Sequence, residues 1–225
     1  MLTVAEGRRA AVVDVSVEQR APVNVIGRIR DVFNKKPWIE WLILVALCAV
    51  MLGQLFLSVG QLSEISDEST HLYAGYRFLK CGDVDLSREH PPLARIVAGL
   101  PLLHMDLEVD CSPIRGGGTQ QALAAHAWLY SHLDWKTVLF HARMAISAFA
   151  VGLCLLVWIA ARRMFGIMTA IAASVLLIFH PSVLAIGALV MTDIAVTCKL
   201  LVAVFGVYFW VRNRTVTHLL LVGLA

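Results

Sequence analysis

No apolar run opens this chain. Its first 37 residues are polar and mixed, without the apolar core of about 7–15 residues that a secretory signal needs, so no cleaved signal peptide is expected. Charge is scarce as well. Charged residues make up 16% of the sequence and the net charge is +3, which gives no basic footprint for nucleic acid, and no nucleic-acid partner is expected. The one glycine cluster, Gly116-Gly117-Gly118, lacks the lysine of a phosphate-binding loop and carries no nucleotide role. Histidines 71, 90, 104, 126, 132, 141 and 180 match no metal-ligand spacing and read mostly as solvated. There are five cysteines. Cys48, Cys154 and Cys198 lie in apolar runs and read as packing residues. Cys81 and Cys111 stand in a polar stretch, where an oxidising compartment permits a disulfide; the sequence leaves its formation open.

What is present in excess is apolar length. Hydrophobic residues make up 59% of the chain and the mean hydropathy is +0.74, above the range of soluble domains. The excess falls in runs of about 20 residues, enough to cross about 30 Å of hydrocarbon as helix. The expected fold class is therefore all-α: a polytopic helical membrane protein with amphipathic juxtamembrane helices in its first outer loop. Spans are expected over Trp38–Val59, Met144–Ala161, Gly166–Phe179 and Ile194–Val211, with the apolar stretch Ser182–Met191 at the outer face or re-entering. Thr217–Ala225 begins a further apolar run too short to cross, so the chain is expected to be a portion of a larger protein that stops inside a fifth span. Residues 1–37 form a tail, in which Gly27–Asn34 can make a short amphipathic surface helix. Seven basic residues in the tail, with Arg162, Arg163, Arg212 and Arg214, place eleven of the nineteen Lys and Arg on one side. By the positive-inside rule that side is cytoplasmic.

The loop from Gly60 to Arg143 then faces outward, and it is too long for a bare connection. Asp67 or Ser66 can cap a helix over Glu68–Lys80, with Leu72, Tyr76 and Leu79 on one apolar face. Cys81-Gly82-Asp83 breaks it. Pro91-Pro92 opens a second helix, with Leu93, Ile96, Val97 and Leu100 as its stripe. Both helices are expected to lie flat on the membrane. A third runs from Gln120.

Several residues in this loop and at the span ends are candidates for chemistry. Asp67-Glu68, at a helix start and the mouth of a span, can accept a proton; it serves equally well as a helix cap. Glu89-His90-Pro91-Pro92-Leu93-Ala94-Arg95 can hold an anion between His90, Arg95 and free backbone N–H groups; it can also be a solvated helix start. Asp193 is an acid at an apolar boundary, where acids tend to be functional. Arg143, beside His141 at the outer start of the second span, suits a lipid phosphate or an interfacial anchor.

The order of these pieces resembles the type C membrane glycosyltransferases. It is most similar to the dolichyl- or polyprenyl-phosphate-mannose protein mannosyltransferase family and its bacterial relatives. The matching residues are Asp67-Glu68 after the first span, then His71, Gly75 and Tyr76; Glu89-His90-Pro91-Pro92-Leu93; Pro101-Leu102-Leu103; Arg143; and Thr192-Asp193. The resemblance covers about residues 38–212. It implies an inverting transfer of a sugar, such as a mannose-type hexose, from a polyprenyl-phosphate donor to a hydroxyl of a protein or glycolipid acceptor. The transfer would take place on the outer face, the periplasmic one in a bacterial inner membrane. Asp67 would be the general base, with Arg143, His90 and Arg95 holding the phosphate. Glu68 and Asp193 would bind acceptor, sugar or, as in some relatives, a divalent metal ion. Family members often carry lysine where Arg95 stands. Two other classes compete: half of a transporter, with acids on a translocation path, and a non-catalytic membrane subunit.

Overall fold

The structure is a computed structural model that describes residues 33, 35–114, 116–214, 217 and 223. It divides into two units, Met1–Lys36 and Pro37–Ala225. The surface helix expected over Gly27–Asn34, Phe33 apart, and the run from Thr217, apart from Thr217 and Gly223, lie outside the described residues. The second unit is all-helical, with no strand among the described residues.

Helix α1, Trp38–Val59, has 22 residues, about 33 Å of helix. Leu44, Met51, Leu55 and Val59 form its buried face, while Trp41, Val45, Phe56 and Leu57 stay exposed around the rest. That distribution belongs to a helix with protein on one side and lipid on the other. Four helices follow the outer loop. They are α5 (Trp135–Phe165), α6 (Ile167–Ile178), α7 (Pro181–Gly187) and α8 (Asp193–Asn213). α1, α5 and α8 are long and apolar enough to cross a membrane; α6 and α7, bent by 62°, make a fourth crossing if the pair is one broken span.

α5 starts at Trp135 and not at Met144. Its 31 residues make about 47 Å of helix, well beyond the hydrocarbon thickness of about 30 Å. Nothing between Trp135 and Phe165 stops the helix; Gly166, at φ 96°, does. α5 is the central post and packs against α1, α6 and α8. Small residues let the backbones close in. A side chain at Gly187 would meet Ala150 Cβ at 3.0 Å, and Ser147 donates to the carbonyls of Arg143 and Gly187, the kind of contact that associates helices in lipid. At the opposite end of α5, Arg162 forms a two-pronged ion pair with Glu40 at 2.8 and 2.9 Å.

The outer loop builds a helical cap from α2 (Ser66–Cys81), α3 (Pro92–Gly99), a 3-10 turn (Leu100–His104) and α4 (Gly118–Ser131). α2 ends at Gly82, whose φ of 69° is left-handed. The expectation that α2 lies flat on lipid is corrected. Every residue from His71 to Arg77 is buried, because α3 and α4 cover it. Gly75 makes the α2–α3 crossing possible, since a Cβ there would sit 1.9 Å from the Arg95 carbonyl oxygen. The return segment from Met105 to Ile114 lies over the cap as a strap. Tyr76 Oη donates to Leu107 O and Trp128 Nε1 to Glu108 O, both at 2.9 Å. Arg77 donates to the carbonyls of Asp110 and Ser112. The disulfide that the sequence left open is formed between Cys81 and Cys111 and fastens the strap to the end of α2.

Candidate functional site

Two adjacent carboxylates at the start of α2 have opposite surroundings. Asp67 is exposed in the first helical turn. Glu68, one residue on, is wholly buried, and its two oxygens accept four hydrogen bonds. Oε1 accepts from Arg143 Nε at 2.9 Å and Val190 N at 2.8 Å. Oε2 accepts from Arg143 Nη2 at 2.5 Å and Ile65 N at 3.1 Å. The last bond is half of a capping box, reaching back to the residue before the helix.

Arg143 answers with all five of its N–H groups. Besides the two bonds to Glu68 it donates to the carbonyls of Val59, Leu62 and Ser63 at 2.8–3.1 Å. An arginine has five N–H donors in a fixed fork, so none is left for a lipid phosphate. The expected roles of Arg143 in holding phosphate and of Glu68 in binding acceptor or metal are therefore corrected: the pair is a buried knot. It joins the exit from α1, the start of α2, the first third of α5 and the segment before α8.

Arg95 is similarly committed. It is buried at the α2–α3 crossing and donates to the carbonyls of Leu86, Ser87 and His90 at 2.6–2.9 Å. These bonds shape the turn that carries Glu89 and His90. Arg95 Nε is buried with no hydrogen-bond partner, and burial draws the guanidinium pKa down from its ordinary value. Three of its five N–H groups are spent on carbonyls, which leaves Nε–H and one Nη2–H. A cavity of about 190 Å³ is lined by Arg95 together with Gly75, Phe78, Arg88 and His90. Glu89 points largely to solvent, its carboxylate accepting from Ser87 Oγ at 3.3 Å.

His71, expected among solvated histidines, is 4% exposed. Its ring stands edge-on to that of His90, with centroids 4.8 Å apart, and its Nδ1 is buried without a hydrogen-bond partner. Burial lowers its pKa, with the charges of His90 and Arg95 acting the same way; Asp67 and Asp193 oppose them. His71 is thus in ring contact with His90 and feels the charges of Arg95, Asp67 and the exposed Asp193, first residue of α8. The spacing Asp67, His71, Gly75 repeats every four residues, which puts His71 on the helix face that α3 crosses. That was the signal for its burial. Among the described residues, no three His, Cys, Asp or Glu side chains stand together as a metal site, and with Glu68 committed to Arg143 this set does not fit a divalent ion.

Comparison with family models, curated proteins and solved structures finds no match. What the helices themselves define is a class: an all-α polytopic membrane protein with a disulfide-fastened helical cap between its first two long helices.

Proposed function

We propose that this protein transfers a sugar from a polyprenyl-phosphate donor to a hydroxyl of a protein or glycolipid acceptor, with Asp67 as general base and the cap facing the non-cytoplasmic side of a bacterial inner membrane. The observation that carries this reading is the separation of the two carboxylates. Glu68 is locked into Arg143 while Asp67, at the same helix start, is left exposed, and the charges of Asp67, His90 and Asp193 all act on His71. In the proposed step the acceptor oxygen attacks the anomeric carbon as its proton passes to Asp67. The bond from that carbon to the phosphate oxygen breaks, the electron pair leaves with the lipid phosphate, and the sugar carbon inverts. The developing phosphate charge falls to His90 and Arg95, which line one cavity, because Arg143 has no donor left. Asp193 is assigned to acceptor or sugar. A mannose-type hexose is the sugar proposed by resemblance. No step is routed through a metal ion.

The test is transfer from a radiolabelled polyprenyl-phosphate sugar in membranes containing the full chain. Asp67→Asn is expected to lower transfer by about 10²-fold or more, the scale of a lost general base, with insertion and melting temperature unchanged. Transfer at the wild-type rate removes Asp67 from the mechanism. A second reading, a non-catalytic membrane subunit, draws on one observation: Asp67 is not among the residues lining the cavity shared by His90 and Arg95. Absence of transfer by the wild-type protein with several donors favours it.

A further inference from the structure

A separate and larger cavity, of about 600 Å³, lies where the chain leaves α1 and enters α5. Leu62, Leu139 and Phe140 make its apolar wall, and Tyr130 and Trp135, with rings 4.7 Å apart, make an aromatic one. Glu64 lines it too. Its side chain is only 6% exposed, and Oε1 is buried with no hydrogen-bond partner. The carboxylate raises the pKa of the Tyr130 phenol beside it, and His126 Nε2 stands off at 3.8 Å from Oε2. Among the described residues no lysine or arginine pairs with Glu64. Lys136, also on the lining, holds its Nζ over the Trp135 ring at 5.6 Å.

A carboxylate removed from water needs donors for both oxygens and a counter-charge. Glu64 lacks a donor at Oε1 and has no strong cation beside it. A neutral hydroxyl would supply the hydrogen bond but leave the charge. A choline would bring charge and no N–H. A primary ammonium brings both, and the neighbouring aromatic faces attract cations. The cavity's position is the second half of the argument. It opens at the end of α1, a helix long and apolar enough to cross a membrane, and the ends of such helices are where headgroups and interfacial aromatics meet. The exposed Phe56 on that helix meets the ring of Phe140 at 5.7 Å and continues its apolar side, and Lys136 on the lining is a cation suited to a phosphate.

We propose that this cavity holds the ethanolamine headgroup of an aminophospholipid, its ammonium donating to the Glu64 carboxylate and its phosphate facing Lys136. The site is distinct from Asp67 and does not depend on sugar transfer. Native mass spectrometry of the full chain, purified in detergent, tests it with dioleoyl phosphatidylethanolamine, phosphatidylcholine and phosphatidylglycerol, and with free ethanolamine. Phosphatidylethanolamine is expected to bind about tenfold tighter than the other two lipids, the scale of one charge-assisted hydrogen bond. Glu64→Gln is expected to remove that preference and leave phosphatidylglycerol binding unchanged. Glu64→Asp keeps the charge but draws the carboxylate back by one methylene and is expected to reduce the preference, which serves if Glu64→Gln fails to fold. Equal binding of the ethanolamine and choline lipids to the wild-type protein overturns the proposal. So does an unchanged preference in both variants, and so does free ethanolamine competing as well as the lipid.

Discussion

Replacing Glu68 by Gln keeps the shape of the side chain and removes its charge, and it strikes the knot at its centre. In the wild-type structure both oxygens act as acceptors, Oε1 for Arg143 Nε and Val190 N, Oε2 for Arg143 Nη2 and Ile65 N. A glutamine presents one oxygen and one NH₂ group. Whichever way it turns, an NH₂ group faces one N–H of Arg143 and one backbone N–H, and Arg143 is left buried without its counter-ion. Removing one partner of a buried pair costs about 3–5 kcal/mol. At about 2–4 °C per kcal/mol for a domain of this size, the melting temperature is expected to fall by roughly 6–20 °C. Size-exclusion chromatography of heated, detergent-solubilised protein with fluorescence detection reads this directly. The double variant Glu68→Leu with Arg143→Leu is expected to recover part of the loss, because it removes both charges. It still orphans the carbonyls of Val59, Leu62 and Ser63 that Arg143 now holds, so recovery stays partial. A Glu68→Gln protein that melts within about 2 °C of wild type would refute the reasoning, since a deviation that small corresponds to under about 1 kcal/mol.

Gly75→Ala is expected to abolish or sharply reduce the folded yield, because the new methyl would lie 1.9 Å from Arg95 O and α3 has to move; Gly53→Ala, with nothing within 4 Å, serves as the control and should melt no lower than wild type. His71 gives a pH dependence. Its pKa in the fold lies below the ordinary 6.5, chiefly through burial, so the unfolded chain takes up the proton first. The stability held above pH 6.5 is lost as pH falls through the folded value. Melting curves between pH 7.5 and 5 should show this slope in the wild type and a shallower one in His71→Phe; parallel slopes would remove His71 as its source.

The hydropathy of the chain settled the class by itself. A backbone in hydrocarbon has to satisfy its own hydrogen bonds, so apolar runs of this length become helices whatever surrounds them. Local chemistry also marked helix ends, with Gly82 stopping α2 and Pro91-Pro92 opening α3, because glycine and proline act through φ within their own residues. The limits of that reading are equally local. The hydropathic stretch beginning at Met144 concealed a helix that starts at Trp135, because Lys136, Thr137, His141 and Arg143 lower the hydropathy of its outer turns while Val138, Leu139 and Ala142 pack inward. The roles of individual polar groups were decided by tertiary structure alone. Glu68 meets Arg143 across 75 residues and Val190 across 122, and no pattern around Asp67-Glu68 says which of two neighbouring acids turns inward. The same holds for Glu64, whose burial depends on Tyr130 and Trp135 arriving from the far end of the cap. Charge and hydrogen-bonding capacity are written in the residue, whereas burial and partnership come from packing, and these two decide whether a carboxylate holds a fold together or faces a ligand.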